Sequence, residues 1–514
     1  MDRRKFLALA SSTVAAGNSL SAFASGTESK GSSSPAKPEA RDQKRPPNVI
    51  FLICDDLGYG DLGCYGSQLP TPNVNALAAA GMRFTRFNAA HPVCSASRAA
   101  LLTGRYGLRS GTAGAFRAFY DGGTSLDETL VAELFRASGY KTAAIGKWHL
   151  GATAPYLPTS RGFDSYYGVP YSDDMYPLPL IRDVDPLEKD TDRDLLTPRY
   201  TEEAVHFIEK SDDTPYFLYL AYSYPHDPAR ASQNFRGKTQ FGDQGDSIAE
   251  IDWSVGEIVR AVERKGQTEN TVIIFTSDHG PWYQGSVGPL RGRKASTFEG
   301  GFRVPFAAKW PAKISAGKTN DAWCNHLDIL PTLASVCGLK PPQKPLDGVD
   351  ISGVLTGAGQ LASRKPVLYF SPMGTIGYGG YDVHCIRRAE WKLRVAQASN
   401  GEIYLNDSTT GASQSAWLER PELYNLDSDP SESYDISNLH PEIVAELMQN
   451  LDEQIESFPA EVVSAYASLK QRRGDISTPP GATPRPYRKP IGKGTWEPPD
   501  RRWPDVAWPP DWAK

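Results

Sequence analysis

Four short apolar runs constrain the fold more than any other feature of this 514-residue sequence. Each run is continuous and rich in β-branched or aromatic residues, which is typical of a strand buried on both faces of a parallel sheet. The runs are NVIFLIC from Asn48, KTAAIGKWH from Lys141, PYFLYLAYSYPH from Pro215 and TVIIFTSDHG from Thr271. Helical patterns lie between them, for example apolar residues spaced three and four apart from Ile248 to Val262. The alternation predicts an α/β fold, a large mixed or parallel sheet sandwiched by helices.

Ionisable side chains follow each of the four predicted strands. In open α/β sheets, ligands bind beyond the carboxyl ends of the strands. We therefore expect a functional site at one sheet edge, formed by the residues that follow these strands: Asp55, Asp56, Lys147, His149, His226, Asp278 and His279.

The N-terminal segment has the features of an export signal. Arg3 and Arg4 precede a short, weakly apolar stretch that ends in Ala22-Phe23-Ala24. This pattern resembles a twin-arginine signal peptide over residues 1–24 more closely than an amphipathic helix. We therefore expect a periplasmic or secreted mature protein whose partners include the twin-arginine export machinery.

Composition divides the rest of the chain. Residues 25–47 are rich in Ser, Pro, Gly and charge, which predicts a flexible linker, and residues 48–365 carry the α/β pattern. Residues 366–470 contain shorter strand-like pieces, PVLYF, VHCIRRAEWKLRVA and GEIYLN, and the helical pattern PEIVAELMQNLDEQIESF. They predict a smaller α+β domain built on an antiparallel sheet. Residues 471–514 predict an irregular arm, rich in proline and containing Trp496, Trp503, Trp508 and Trp512.

Charge and cysteine content exclude several classes of protein. The 55 Lys and Arg against 60 Asp and Glu give a net charge of −5, and no basic block suits nucleic acid. Beyond the export signal we expect no stable membrane insertion. The six cysteines are scattered, without a CxxC pair or a disulfide framework, so most are expected to be small core residues.

Three aspartates at strand ends suggest a metal site. Asp55, Asp56 and Asp278 would crowd like charges unless a cation joined them, and carboxylate oxygens favour a hard ion such as Ca²⁺ or Mg²⁺. The alternative for the Asp-Asp pair is a helix cap or an exposed turn. His279 would add a nitrogen ligand, which leaves the identity of the metal open.

Cys94 requires a separate explanation. It precedes SRAALLTG, a helix-forming run that ends at Gly104, so its side chain is expected at a helix N-terminus, where the backbone favours an anion. Arg98 adds a positive charge one turn further on. From these residues alone, a structural cysteine is the more common alternative to a reactive one.

The segment CSASRAALLTGR, from Cys94 to Arg105, resembles the signature of type I, formylglycine-dependent sulfatases. DDLGYGDLGCYG, GKWHLG, GVPYSDD, FTSDHGPW, GPLRGRKASTFEGGFRVPF and ELYNLDSDPSE resemble the arylsulfatase A-like branch in the same order, over residues 48–440. Ala96 and His279 depart from the resemblance, since proline and asparagine are common there. The YSYPH context of His226 is also atypical.

This resemblance implies an alkaline phosphatase-like fold and the hydrolysis of sulfate esters. It implies that a formylglycine-generating enzyme oxidises Cys94 to an aldehyde. It further implies a divalent cation, Ca²⁺ or alternatively Mg²⁺, bound by modified Cys94 together with Asp55, Asp56, Asp278 and His279. One hydroxyl of the hydrated aldehyde then attacks sulfur in line with the departing alcohol.

The other site residues take their expected roles from the same resemblance. Arg98, Lys147 and Lys294 neutralise the sulfate oxygens, and Ser172 donates a hydrogen bond to the ester. His226, with Lys294, protonates the leaving oxygen. His149 takes a proton from the second hydroxyl, so that the sulfated hydrate collapses and releases sulfate.

The substrate class is left with alternatives. A phosphate or phosphonate monoester hydrolase of the same superfamily would use a similar site, and a catalytically dead protein could keep it to bind sulfated glycans. An exported sulfatase is expected to meet a sulfated carbohydrate, although an aryl sulfate also fits. Aromatic residues near the motifs and in the smaller domain could stack on sugar rings or belong to the core: Trp282, Tyr283, Tyr171, Tyr176, Tyr378, Tyr381 and His384.

Overall fold

A computed structural model of the chain describes residues 45–118, 120–361, 363–372, 380–398 and 415–472. Several predictions from the sequence lie outside these residues: the signal peptide, most of the linker, the GEIYLN strand, Tyr378 and the four tryptophans of the C-terminal arm.

The strands are numbered in chain order. They are β1 (Asn48–Cys54), β2 (Met82–Phe84), β3 (Phe87–Asn88), β4 (Lys141–Lys147), β5 (Ser165–Val169), β6 (Leu180–Arg182), β7 (Asp185–Glu188), β8 (Tyr216–Ala221), β9 (Thr271–Ser277), β10 (Phe306–Lys309), β11 (Lys318–Asn320), β12 (Cys324–Asn325), β13 (Val367–Phe370), β14 (Val383–Arg388), β15 (Trp391–Ala398) and β16 (Ser415–Asn425).

The α-helices are numbered in the same way. They are α1 (Pro72–Ala79), α2 (Cys94–Thr103), α3 (Val131–Ala137), α4 (Leu196–Lys210), α5 (Gly242–Arg264), α6 (Glu299–Phe302), α7 (Ile329–Cys337), α8 (Ser352–Thr356), α9 (Pro441–Ile455) and α10 (Ala460–Gln471). In the part of the chain that the structure describes, no helix has both the length and the apolarity needed to cross a membrane.

The large sheet has ten strands in the order β11-β2-β10-β9-β1-β8-β4-β5-β6-β7. Its centre is parallel: β1 pairs with β9 and β8, and β4 pairs with β8 and β5. Antiparallel pairs occur on both sides of this centre, where β10 meets β9 and β5 meets β6. Because β9, β1, β8 and β4 are parallel neighbours, their carboxyl ends lie at one edge of the sheet. These are the four strands that the sequence predicts to carry the site.

Apolar side chains cover both faces of this sheet. Successive side chains of a strand point to opposite faces. Phe51 and Ile53 belong to a buried cluster with α2, α3 and α7, whereas Ile50 and Leu52 belong to a second cluster with α1, α4 and α5. The continuous apolar run of β1 is therefore explained by burial on both sides, and the predicted sheet sandwiched by helices is confirmed.

The smaller C-terminal sheet is antiparallel, in the order β13-β14-β15-β16, and confirms the predicted α+β region. Leu393 and Val395 of β15 share a buried cluster with Leu447 and Leu451 of α9, the helix predicted from its sequence pattern. The helix α10 follows it and was not predicted.

A buried charge cluster connects the small sheet to the segment that follows Lys294. Glu299, at the start of α6, lies 3.1 Å from the Arg387 guanidinium and 3.4 Å from the Lys392 Nζ. Arg303 adds a third cation at 2.9 Å. Burial favours the uncharged form of Glu299, but Arg387 and Lys392 outweigh it and hold the pKa of this carboxyl below its usual value. Such a cluster is stable only with all partners present.

Candidate active site

The carboxyl ends of the four central strands place their ionisable residues around one buried point. Asp55 and Asp56 follow β1, Asp278 and His279 follow β9, and Lys147 ends β4. The side chains of Asp55, Asp56, Asp278 and His279 are at most 1% exposed. These groups have been removed from water, so their charges must be balanced by one another or by a ligand.

Cys94 is the first residue of α2, and its thiol faces this point. The helix begins after Val93, which is extended, and ends at Gly104, whose φ of 66° requires the left-handed conformation that glycine adopts readily. The Cys94 Sγ lies 3.5 Å from the Asp55 Oδ1 and 3.3 Å from the His279 Nε2. Residue 94 is therefore next to the acidic cluster and at a helix N-terminus.

The acidic cluster has the donor set of a cation site. Ligand atoms of Asp55, Cys94, Asp278 and His279 all lie within 4.8 Å of one another. The His279 Nε2 is also 3.4 Å from the Asp56 Oδ1. Three carboxylates suit a hard ion such as Ca²⁺ or Mg²⁺, so the residues present fit the divalent cation predicted from the sequence.

Three basic side chains surround the carboxylates. The Arg98 Nε donates to the Asp278 Oδ2 at 3.0 Å, and its NH2 donates to the Asp55 Oδ2 at 3.3 Å. The Lys147 Nζ forms an ion pair with Asp55 and donates to the Ser172 Oγ at 2.9 Å. The Lys294 Nζ lies 2.9 Å from both oxygens of Asp56. The site therefore has enough positive charge to receive an anion.

The protonation of the two neighbouring aspartates differs because their partners differ. Burial favours uncharged Asp55, but Lys147 and Arg98 outweigh it and hold its pKa well below the usual value. Burial raises the pKa of Asp56 to about 7, although Lys294 and His279 oppose this rise. Burial also acts against charged His279, but Asp278 and Cys94 raise the pKa of its ring to about 9. Asp55 is therefore the more strongly ionised of the two adjacent aspartates.

His149 is oriented by a backbone carbonyl. Its Nε2 lies 2.8 Å from the carbonyl oxygen of Phe116, so Nε2 carries the proton and donates it. The other nitrogen, Nδ1, is buried without a hydrogen-bond partner among the described residues. Burial and Lys147 lower the pKa of the ring to about 3. His149 is thus a neutral imidazole with one free acceptor nitrogen, held at a φ of 61°, which is strained for a residue other than glycine.

His226 follows β8 and spans two carboxylates. Its Nδ1 lies 3.1 Å from the Asp173 Oδ1, and its Nε2 lies 3.9 Å from the Asp56 Oδ2. Burial and the nearby Lys294 lower the pKa of His226 well below its usual value. Burial also raises the pKa of Asp173 well above its usual value.

All eleven residues selected from the sequence lie in this one site: Asp55, Asp56, Cys94, Arg98, Lys147, His149, Ser172, His226, Asp278, His279 and Lys294. Sequence reasoning missed Asp173, although it lies in the quoted GVPYSDD motif next to Ser172. It also missed the Phe116 carbonyl, for which no sequence signal exists because the acceptor of the His149 side chain is a backbone oxygen, which any residue at position 116 would supply.

The proposed aromatic wall is only partly present. Tyr171 is 3% exposed and packs in the core, and His384 is fully buried, where its Nε2 lies 2.8 Å from the Ser415 Oγ. Neither ring is exposed to stack on a sugar, so these two residues belong to the core, which is one of the two alternatives that the sequence leaves open. Tyr283 is 52% exposed and contacts Trp282 with ring centroids 4.8 Å apart, and Tyr381 is also exposed.

Comparisons with known proteins assign the class. Residues 47–339 match the sulfatase family model, and residues 373–485 match the model of the C-terminal region of aryl-sulfatase. The chain belongs to the sulfatase family, in its arylsulfatase A-like branch, and is a sulfuric ester hydrolase. The resemblance predicted from the sequence is confirmed.

Individual relatives agree with this assignment. Human arylsulfatase A is 36% identical, over 86% of this chain and 94% of the relative. Among solved structures, the PsFucS1 sulfatase from Pseudoalteromonas sp. is 29% identical with a TM-score of 0.71, covering 82% of this chain and 92% of that one. The structure of Ps i-CgsB in complex with k-i-k-neocarrahexaose is 29% identical with a TM-score of 0.69, covering 80% and 93%.

Proposed function

We propose that this protein is an exported sulfatase that removes sulfate esters from carbohydrates, using formylglycine derived from Cys94 and a divalent cation. The catalytic domain spans residues 48–365. The observation that supports the proposal best is the position of the Cys94 Sγ, 3.5 Å from Asp55 and 3.3 Å from His279. A cysteine buried only as a core residue would not need to face carboxylates and an imidazole.

The modification explains why a cysteine is present at this position. A hydrated aldehyde at residue 94 supplies a hydroxyl nucleophile and a second hydroxyl through which the sulfated form can be released. A serine would form a simple sulfate ester without that exit. The partner that carries out the oxidation is a formylglycine-generating enzyme.

Residue 94, Asp55, Asp56, Asp278 and His279 would hold the cation, Ca²⁺ or alternatively Mg²⁺. When bound, the cation polarises the sulfate group and favours the ionised nucleophile. The side chains of Asp55 and Asp278 keep their orientation through Arg98, which contacts both.

Lys147, Lys294 and Arg98 bind and neutralise the sulfate oxygens. The Lys147 Nζ is already fixed by Asp55 and by the Ser172 Oγ, and the Lys294 Nζ is fixed by Asp56. These pre-oriented donors require little rearrangement as charge develops on the sulfate, which is the condition for effective electrostatic stabilisation. The Ser172 hydroxyl donates a hydrogen bond to the ester.

Two histidines move protons. His226, assisted by Lys294, protonates the leaving oxygen as the S–O bond breaks. His149 accepts the proton of the second hydroxyl at Nδ1, which is free because Nε2 donates to the Phe116 carbonyl. The low pKa of His149 keeps this nitrogen unprotonated before the transfer.

The carbohydrate substrate is inferred from the surface near the site and from a structural relative. Tyr283 is exposed beside Trp282, and aromatic rings of this kind stack on sugars. The related protein Ps i-CgsB has been solved in complex with k-i-k-neocarrahexaose. The export signal predicted over residues 1–24 would bring the enzyme to extracellular polysaccharide in the periplasm or outside the cell.

The deciding experiment measures free sulfate released from a panel of purified sulfated oligosaccharides and from aryl sulfates. We expect turnover of at least one carbohydrate sulfate and none by Cys94→Ser. Matched phosphate esters test the phosphate or phosphonate hydrolase alternative, which a faster phosphate reaction would favour. Tight sugar-sulfate binding without turnover, with Cys94 unmodified, would favour the glycan-binding alternative.

A further inference from the structure

The carboxylate of Asp173 is buried against the proposed acid. Asp173 is 0% exposed, and its Oδ1 lies 3.1 Å from the His226 Nδ1. The Asp173 oxygens and the His226 Nδ1 form no hydrogen bond among the described residues, so their 3.1 Å approach is a charge contact. A buried carboxylate is costly without a partner, and the His226 ring is the partner beside Asp173. The exposed Asp174 carboxylate also lies within 4.8 Å of this pair.

The backbone around Asp173 is fixed by groups outside the catalytic cluster. The Arg193 Nε donates to the Asp173 carbonyl oxygen at 2.8 Å, and the guanidinium lies 3.9 Å from the centre of the Tyr176 ring. The Tyr224 hydroxyl donates to the Arg193 carbonyl at 2.8 Å. Asp173 therefore approaches His226 from a rigid segment, on the side of the ring opposite to Asp56.

We propose that Asp173 is a positioning residue that makes Nε2 the proton-donating nitrogen of His226. This inference rests on the proposed function of His226 as the acid. Nδ1 lies beside Asp173, so Nε2 is the nitrogen that faces Asp56, the partner of Lys294. The Asp173 carboxylate thus orients the ring of His226, just as the Phe116 carbonyl orients the ring of His149.

The proton balance is simple. For Nε2 to donate a proton, Asp173 and His226 must together hold one proton more than a carboxylate and a neutral imidazole. When the S–O bond breaks, its electron pair remains on the leaving oxygen, and the Nε2 proton moves there to form the alcohol. The imidazole is then neutral with its remaining proton on Nδ1, where the Asp173 carboxylate accepts it. An asparagine at this position has no carboxylate to accept the Nδ1 proton and cannot hold the extra proton.

The test uses leaving groups of different basicity. A sugar alkoxide needs its proton as it departs, whereas nitrophenolate does not, so loss of the acid slows a carbohydrate sulfate selectively. We expect His226→Ala to lower kcat/KM on the carbohydrate sulfate roughly 10²–10⁴-fold. Asp173→Asn should lower it roughly 10–100-fold, the usual cost of losing a group that orients another. Nitrophenyl sulfate hydrolysis should change much less in both variants.

Two controls separate positioning from general damage. Asp213→Asn removes an exposed carboxylate that precedes the amino end of β8, away from the carboxyl ends of the strands, and should leave both reactions near the wild-type rate. The double variant Asp173→Asn with His226→Ala should be no slower than His226→Ala alone, because Asp173 acts only through that histidine. All variants are compared at equal formylglycine content and matched thermal stability. Asp173→Ser is a second replacement if the asparagine variant does not fold.

The outcomes distinguish this inference from the proposed function. Equal losses on both substrates for Asp173→Asn, with a selective loss for His226→Ala, would overturn only the positioning role. A double variant much slower than His226→Ala, or an Asp213→Asn variant with the same selective loss, would also overturn it. If His226→Ala itself loses both reactions equally, the acid role fails and Lys294 becomes the preferred acid.

Discussion

Removal of the Arg98 guanidinium tests the charge balance of the site most directly. Arg98 is 0% exposed and donates to Asp278 at 3.0 Å, to Asp55 at 3.3 Å and to the Lys147 carbonyl at 3.2 Å. Arg98→Met keeps much of the apolar stem and deletes all three donors. Asp55 keeps its ion pair with Lys147, whereas Asp278 loses its closest cation and keeps only the His279 ring, whose Nε2 lies 3.6 Å from its Oδ1.

The magnitude follows from this difference. Removing one partner of a buried ion pair destabilises a protein by about 3–5 kcal/mol. Because only Asp278 loses its compensation, we expect one such cost and not two. A bound divalent cation would neutralise the same carboxylate. The loss of free energy of unfolding should therefore be about 3–5 kcal/mol in a chelator and clearly smaller with saturating Ca²⁺.

The assay is urea unfolding of wild type and variant, each with chelator and with Ca²⁺. Arg161→Met is the matched control, since Arg161 is 2% exposed and donates to Glu133 and to two backbone carbonyls outside the site. Its cost should not depend on Ca²⁺. The reasoning is refuted if Arg98→Met is as stable as wild type in chelator, or if Ca²⁺ leaves its deficit unchanged.

Three further predictions concern the nucleophile, the cation and the domain contact. Tryptic mass spectrometry should show the aldehyde at residue 94 after aerobic expression with an active modifying enzyme. The reason is that the CSASR segment can be modified while it is extended, before the twin-arginine machinery exports the folded chain. A peptide that contains only unmodified Cys94 would contradict this prediction. His279→Asn should retain or strengthen Ca²⁺-dependent activity, since an amide oxygen is a harder ligand than imidazole nitrogen, whereas Asp278→Ala should abolish it. An unchanged rate after chelation, without copurifying metal, would count against the site. Finally, a carboxyl with a depressed folded pKa stabilises a protein above its unfolded pKa and loses that contribution as the pH falls. The midpoint temperature of thermal unfolding should therefore decrease as the pH is lowered below about 4.3, the unfolded pKa of a glutamate. Glu299→Gln should have a lower midpoint than wild type at neutral pH, and its midpoint should change less as the pH falls.

The sequence by itself determined the central strands and the chemistry at their ends. A continuous apolar run predicts a central strand because a strand buried on both faces, such as β1, has apolar residues at successive positions instead of alternating apolar and polar ones. Adjacent parallel strands also have their carboxyl ends at one edge, so the residues that follow them converge whatever the details of packing. Cys94 at the start of α2 was predictable for a similar local reason, since Gly104 ends the helix.

Only the tertiary structure decided which partner each of these groups faces. The contacts of His226 with Asp173, and of His149 with the Phe116 carbonyl, join segments that are distant in the chain. The same holds for the burial of Tyr171 and His384, which the sequence left open. Local periodicity fixes the strand or helix on which a residue lies. The direction of a ring and its depth depend instead on the register and packing of many segments at once, which no local pattern contains.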